Sequence, residues 1–533
     1  MYMIDYNKLI SKMENTVFSI NEYLKSLKKS QFTIKDYYSK VYNYRVNEKI
    51  FPESIVFKQL ILEEVKRIYG SEKEKLVKLY LETHFVADTA THFSLPRTYD
   101  NMNGIDYDSN LTWNSYLISV AMSKHYNQKI HFGIYTTEIN INTVNSPGVF
   151  EISPYNSAKL FNKKAQRDCV RYSTISNKTM QKCIDILYDN EINEVLNQCD
   201  SLNTDKIYIK KELKNIVKQG VCNINHEKFT SLDQIDFERI VTNYERTMDL
   251  IKQMPKLIRN NDLCYEKIVL LHKYLFDELI DSQKSGIEQI TISTDVLVHY
   301  LIYQLEDENS LLFRIFSDSI LLKRFVEELS DIRSGWKKVK QDESILMTSP
   351  FLKRVISTNN TRLEPYYFQM YTHTPAVLIN QLKKGEIFPT VIMKFVIYLT
   401  AGFLPVGGML QSYYAKELQV KLCEFLDDID KTKSEEIRNI PVEISLHCMA
   451  FFAKDNMSLY NYYDLINMKE FIPNILRDIP NANLETSYYN ALPTLYNFFV
   501  YYILPSDHQN YKNTVCNINK NRYFNSLKLR GID

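Results

Sequence analysis

Hydrophobic residues recur at helical spacing through the first 80 positions of the chain. The run FKQLILEEVKRIYG has an apolar residue every three or four positions and ends at Gly70, a residue typical of a helix carboxyl terminus. The next run, SEKEKLVKLYLETH, begins with Ser71 and Glu74 at the spacing of a capping box. We therefore expect successive helices here and a helical amino-terminal region over residues 1–83.

The pattern changes after position 84. A helical segment, LTWNSYLISVAMSKHYNQ, precedes KIHFGIYTTEININTV, which is rich in β-branched and aromatic residues. The turn signal NSPG follows, and then VFEIS as a returning strand. IEQITISTD indicates another strand, with Thr294 or Asp295 capping the next helix. This order predicts a mixed α/β, helix-rich fold, with an α/β or α+β core over residues 84–345 that contains a helical insertion.

The remaining region, residues 346–533, is expected to be a loop-rich segment followed by a helical carboxyl-terminal part. Two prolines and several turn residues in MTSPFLKRVISTNNTRLEPYYF favour loops between about 345 and 385. The apolar run 387–410 has the length of a membrane span, but it contains Lys394, two prolines and three glycines. We expect a buried core helix followed by a tight loop.

Charge narrows the class of partner. The chain of 533 residues has 65 basic and 64 acidic side chains, a net charge of +1. A dedicated nucleic-acid-binding protein would have a clear basic excess. Neither nucleic acid nor a membrane is therefore an expected partner, whereas a small-molecule ligand and a homo-oligomer are both compatible with the sequence.

Cysteine usage indicates the compartment. None of the eight cysteines forms a pair at the two-residue spacing of zinc or redox motifs. Reduced thiols and a cytoplasmic location fit this pattern best. Cys169 lies between Arg167 and Arg171, which raises the hypothesis of a thiolate nucleophile, although no histidine partner can be assigned.

One row of residues could carry chemistry. His84, Asp88 and His92 follow one another at intervals of four, so they share one side of either a helix or a strand. Asp88 would orient His92 as a general base, with His84 as the third candidate catalytic residue. A structural hydrogen-bond network and a metal site are the alternatives. A third metal ligand would have to come from elsewhere in the chain, and Glu138 is a candidate only by residue type. We therefore assign no metal, and the cofactor is left unknown.

Two further residues are candidates for substrate binding near this row. Arg97 follows Pro96 and could hold a carboxylate or phosphate, although a salt bridge with Asp100 or Asp108 explains it equally well. Glu138 lies on the expected strand and is chosen for its residue type.

A second candidate site is rich in glycine. Gly402, Gly407 and Gly408 occur within seven residues, just before the expected helix MLQSYYAKELQVKLCEFL. Glycine permits positive φ, and a helix start offers free amide groups, so Gly407, Gly408 and Gln411 are candidate substrate-binding residues. A tight connection made for packing is the alternative, since the spacing matches no phosphate-binding motif.

Together these features favour a cytoplasmic enzyme, transferase-like or ligase-like, that acts on a small anionic metabolite. The alternative is a helical interaction or scaffold protein without catalytic activity. The enzyme hypothesis gains if the two candidate regions, some 300 residues apart, meet in space.

Overall fold

A computed structural model represents the chain. The residues it describes are 32–89, 107–138, 149–153, 156–159, 169–174, 264–281, 285–330, 338–341, 344–356, 361–367, 374–407, 409–444, 465–466, 468–484 and 487. The fold is mixed α/β and helix-rich, as the sequence predicts.

A four-stranded parallel sheet forms the centre of the described part. Its strands are β1 (Val86–Asp88), β2 (Ile130–Tyr135), β5 (Glu288–Ser293) and β10 (Leu404–Val406), in the order β10-β1-β2-β5. All six residues of β2 are buried, which is typical of a parallel strand with both faces covered. The fourth strand, β10, comes from the carboxyl-terminal part of the chain.

Helices surround this sheet. They are α1 (Ile34–Asn43), α2 (Glu53–Tyr69), α3 (Ser71–Thr83), α4 (Tyr107–His125), α5 (Cys264–Ile280), α6 (Asp295–Glu306), α7 (Leu311–Ser317), α8 (Ser319–Glu328), α9 (Pro375–Lys383), α10 (Val391–Thr400), α11 (Met409–Leu426), α12 (Lys431–Arg438) and α13 (Ile472–Asp478). α3 and α4 pack on β2, and α2 and α5 on β5.

The expected boundary between the first helices is confirmed, but the expected capping box is not. Gly70 ends α2 with φ +86°, a conformation that glycine adopts without strain. α3 begins immediately at Ser71, so Ser71 is already helical and the helix has no side-chain cap. The glycine therefore separates the two helices by itself.

The loops expected between 345 and 385 are largely wrong. The segment forms β7 (Ser344–Ile356) and β8 (Thr361–Tyr367), which pair antiparallel, and then α9. β6 (Lys338–Gln341) and β9 (Ile387–Pro389) also pair with β7. The β7–β8 register shifts between Thr348 and Leu352, around Pro350. A bulge accommodates a proline, which has no N–H to donate.

The returning strand expected at VFEIS is also wrong in its partner. β3 (Val149–Ser153) pairs antiparallel with β4 (Asn156–Lys159), whereas β2 pairs with β1 and β5. β2 ends at Tyr135, so Glu138 lies three residues beyond the strand on which it was expected.

The apolar run 387–410 contains the predicted buried helix. α10 has only ten residues, and every residue from Ile392 to Thr400 is buried. It lies between β9 and β10, so the run builds three short elements of the core. Within the described residues, no helix is both long enough and apolar enough to cross a bilayer.

Candidate functional site

The two candidate regions of the sequence meet at the carboxyl edge of the parallel sheet. β1 pairs with β10 so that Asp88 lies opposite Val406, and the Thr89 N–H donates to the Val406 carbonyl at 2.8 Å. Gly407 follows directly. The carboxyl edge of an open parallel sheet is where such folds bind ligands, so the meeting place is chemically relevant.

Asp88 ends β1 with its side chain buried. Its Oδ2 lies 3.2 Å from Nε2 of His131, a residue of the neighbouring strand that the sequence patterns did not single out. Strand pairing explains the contact, because Asp88 is in register with Gly133, and His131 lies two residues earlier on the same face. The adjacent cavity has a volume of about 40 Å³ and includes Tyr42 and Ser123 in its lining.

His84 lies at the other end of β1. α3 ends at Thr83, and the chain is extended from His84 onward, so about 13 Å of strand separates His84 from Asp88. The His84 Nδ1 is 2.7 Å from Thr83 Oγ1, and Gln128 Nε2 donates to His84 Nε2 at 3.0 Å. Burial, together with the positive charge of Arg45, lowers the pKa of His84 to about 4. The ring is therefore neutral at physiological pH and is not a direct partner of Asp88.

Glu138 is the centre of a buried ion network. Lys394 Nζ donates to its Oε2 at 2.6 Å, Thr294 Oγ1 donates to the same oxygen at 2.8 Å, and Arg171 Nη1 donates to its Oε1 at 3.4 Å. Burial alone would raise the pKa of Glu138, but Lys394 and Arg171 lower it to about 2. Glu138 is therefore ionised and binds the two neighbouring cations, so it is not available as a proton donor.

The same network explains the cap of α6. Thr294 occupies the N-cap position, as the sequence suggests, but its hydroxyl makes no capping bond. The hydroxyl donates to Glu138 instead. The start of α6 is thereby attached to the loop after β2.

Arg171 extends the network to the surface. Its guanidinium is paired with Asp295, donates to Thr137 Oγ1 at 3.1 Å and lies 4.8 Å from the centre of the Phe388 ring. The sequence drew attention to Arg171 only as a neighbour of Cys169. That cysteine is fully buried, and burial raises the pKa of its thiol to about 11, which argues against the nucleophile hypothesis.

A cleft of about 580 Å³ opens beside Arg171, along α6 and the end of α9. Its charged lining residues are Arg171, Asp295, Glu306, Arg354, Lys383 and Lys384. Its apolar surface comes from Val298, Ile302, Leu382 and Phe388. The volume lies in the range of small-molecule sites, and the lining carries more charge than most such sites do.

The glycine cluster divides into a packing position and a sheet-edge position. Gly402 has φ +68°, and an added Cβ would approach Val46 to 2.7 Å and Phe51 to 2.8 Å, so packing requires glycine there. Gly407 continues from β10 at the carboxyl edge, and Gln411 is the third residue of α11. Gly408 lies outside the described residues, and so do His92 and Arg97.

No three His, Cys, Asp or Glu side chains among the described residues are grouped closely enough to hold a metal ion. Comparisons of the chain with protein-family models, with curated proteins and with solved structures find no match. The function therefore has to be argued from the site itself.

Proposed function

We propose that the protein is a cytoplasmic enzyme, transferase-like or ligase-like, that binds a small anionic metabolite in the cleft between α6 and α9. The cleft itself carries this proposal: it combines an excess of positive charge with an apolar surface at one side of the central sheet. The binding step has support from the geometry. The chemical step rests on the sequence hypothesis.

The position of the cleft supports ligand binding. α6 starts directly after β5, and the cleft follows this helix from Asp295 to Glu306. Arg171 also lines the cleft and is held by the network around Glu138. The ends of β2 and β5 thus position Arg171 and α6 at the cleft, as expected where ligands bind beside parallel strands.

In this proposal Glu138 has a positioning role. Its carboxylate is buried and does not line the cleft, but it holds Arg171 and Lys394 in place. A guanidinium fixed by several partners loses little conformational entropy when it meets a ligand. Asp88, His92 and His84 remain candidates for acid–base chemistry, and Gly407, Gly408 and Gln411 for a second substrate contact.

Native mass spectrometry, followed by thermal unfolding, tests the binding step. The intact protein purified without added ligand should carry a mass excess that disappears on denaturation, and the released anion should raise the Tm when it is added back. A ligand at one hundred times its Kd stabilises the folded state by about 2.7 kcal/mol, which is easily measured.

Charge reversal locates the site. Lys384→Glu in the cleft should abolish the Tm increase, whereas Lys353→Glu is the matched control, since Lys353 is exposed and does not line the cleft. The proposal is overturned if no carboxylate, phosphate or sulfate compound stabilises the protein, or if both variants lose the response equally. A ligand-free multimer would support the scaffold alternative instead.

A further inference from the structure

The charges that line the cleft are unequally compensated. Arg171 is paired with Asp295 and Glu138, and Lys383 Nζ lies 2.6 Å from Glu306 Oε1. Arg354 and Lys384 form no ion pair with any described residue. Two positive charges are therefore available to a ligand.

Arg354 is held in place without having its charge satisfied. Its guanidinium carbon lies 4.2 Å from the centre of the Tyr172 ring, and its main-chain N–H donates to the Glu386 carbonyl at 2.8 Å. Its Nε is buried and has no hydrogen-bond partner among the described residues. A guanidinium stacked on a ring can still present its Nη groups to the oxygens of an anion.

Lys384 is brought to the same place by the turn after α9. The Tyr172 hydroxyl donates to the Gly385 carbonyl at 3.3 Å, so the ring under Arg354 also holds the residue next to Lys384. Gly385 has φ +62°, the left-handed conformation that lets the chain reverse there. Both uncompensated cations therefore belong to one corner of the cleft, built around Tyr172.

Several nearby features oppose an anion. The carboxylates of Asp295 and Glu306 line the same cleft, but each is already paired with a cation, Arg171 and Lys383 respectively. The carboxyl end of α9 carries a partial negative charge of about half an elementary unit. Backbone amides of Lys384, Gly385 and Glu386 already donate to its last carbonyls, which reduces that charge. The Glu386 side chain is exposed and does not line the cleft. Two full positive charges outweigh these effects.

We propose that the head group of the ligand is doubly charged and tetrahedral, as in a phosphate monoester, and that Arg354 and Lys384 bind it. This inference rests on the proposed function and specifies its substrate class. The apolar body of the ligand would lie against Val298, Ile302 and Leu382. A single negative charge would leave one of the two cations uncompensated.

Phenyl phosphate and phenyl sulfate are the probes, because they share shape and ring but carry two charges and one charge at about pH 8. Isothermal titration calorimetry of the full chain should show phenyl phosphate binding more tightly by about tenfold or more, the effect of one further charge-assisted hydrogen bond. Arg354→Gln should remove this preference, and Arg354→Lys should retain part of it.

Lys353→Gln is the matched control, one residue away on β7 and outside the cleft, and it should bind both probes as the wild type does. Circular dichroism and Tm of each variant establish that it is folded. Equal affinities for the two probes would overturn the doubly charged head group and leave the proposed function standing. Binding of neither probe would count against both proposals, as would an Arg354→Gln variant that is folded and keeps the full preference.

Discussion

The two halves of the parallel sheet end in different surroundings. β10 and β1, the closed half, stop within packed side chains, where Asp88 faces His131 beside a cavity of only about 40 Å³. β2 and β5, the open half, continue into an ion network and a cleft of about 580 Å³. Buried carboxylates occur in both halves, so residue type does not distinguish them. Among the described residues, the difference is that two cations lining the cleft, Arg354 and Lys384, form no ion pair.

The largest effect is expected from breaking the network in the open half. Glu138→Gln should lower the free energy of unfolding by about 3–5 kcal/mol, because it leaves the charge of Lys394 buried without its partner. Adding Lys394→Met to this variant should restore a large part of the loss. Urea denaturation measures both changes.

A surface pair provides the control for this comparison. Glu306 and Lys383 are 49% and 56% exposed, so Glu306→Gln should cost less than about 1 kcal/mol. If Glu138→Gln lowers the free energy of unfolding by no more than Glu306→Gln does, the buried network stabilises the fold no more than a surface ion pair does.

A smaller loss is expected in the closed half. Gly402→Ala should destabilise the protein by about 2–4 kcal/mol, since it adds the strain of a positive φ to a collision with Val46 and Phe51. Gly286 has φ +72° with open space around it, so Gly286→Ala measures the backbone strain alone, about 1 kcal/mol. Equal losses in the two variants would show that Gly402 is not confined by packing.

Local patterns predicted the elements of the fold but not how they pair. The buried helix α10 and the boundary at Gly70 follow from the spacing of apolar residues and from glycine chemistry, both of which act over a few positions. The pairing of β10 with β1 joins residues more than 300 positions apart. The spacing of apolar residues does not indicate which distant strands will pair. The β7–β8 hairpin was missed because its prolines and turn residues resemble a loop.

The sequence likewise identified several residues of the candidate sites but not the residues that contact them. Asp88, Glu138 and Gly407 were chosen from the sequence, and they lie at or just beyond the carboxyl ends of strands. Their partners were not foreseen, since His131, Arg171 and Lys394 reach them through strand pairing and helix packing. Arg354 belongs to a strand that the sequence did not indicate.

A substitution of Asp88 tests whether the closed half takes part in ligand binding. Asp88→Asn should lower the free energy of unfolding by about 1–3 kcal/mol, because a buried carboxylate loses charge-assisted contacts. If the closed half is structural, affinity for phenyl phosphate should stay within about twofold, as for distant sites. A folded Asp88→Asn variant that no longer binds the probe would instead assign Asp88 to the ligand site.

The smallest effect concerns His84, at the amino end of β1. The folded pKa of about 4 lies below the ordinary value of 6.5, so between these pH values the unfolded chain binds a proton that the folded chain does not. Stability should therefore fall as the pH is lowered from about 7 to about 5, with a contribution from His84 on the order of 1 kcal/mol. Urea midpoints at several pH values measure it.

Two variants isolate this contribution from that of the other titrating groups. His84→Gln should be less sensitive to pH than the wild type, since its side chain cannot bind the proton. His125→Gln should behave as the wild type does, because His125 is exposed. Burial and the bond from Gln128 are expected to keep the ring of His84 neutral in the folded state. An unchanged pH slope in His84→Gln would contradict this expectation, since it would mean that the folded protein tolerates a protonated His84. In that event His84 would have the proton exchange that an acid–base residue needs, and the closed half could no longer be described as purely structural.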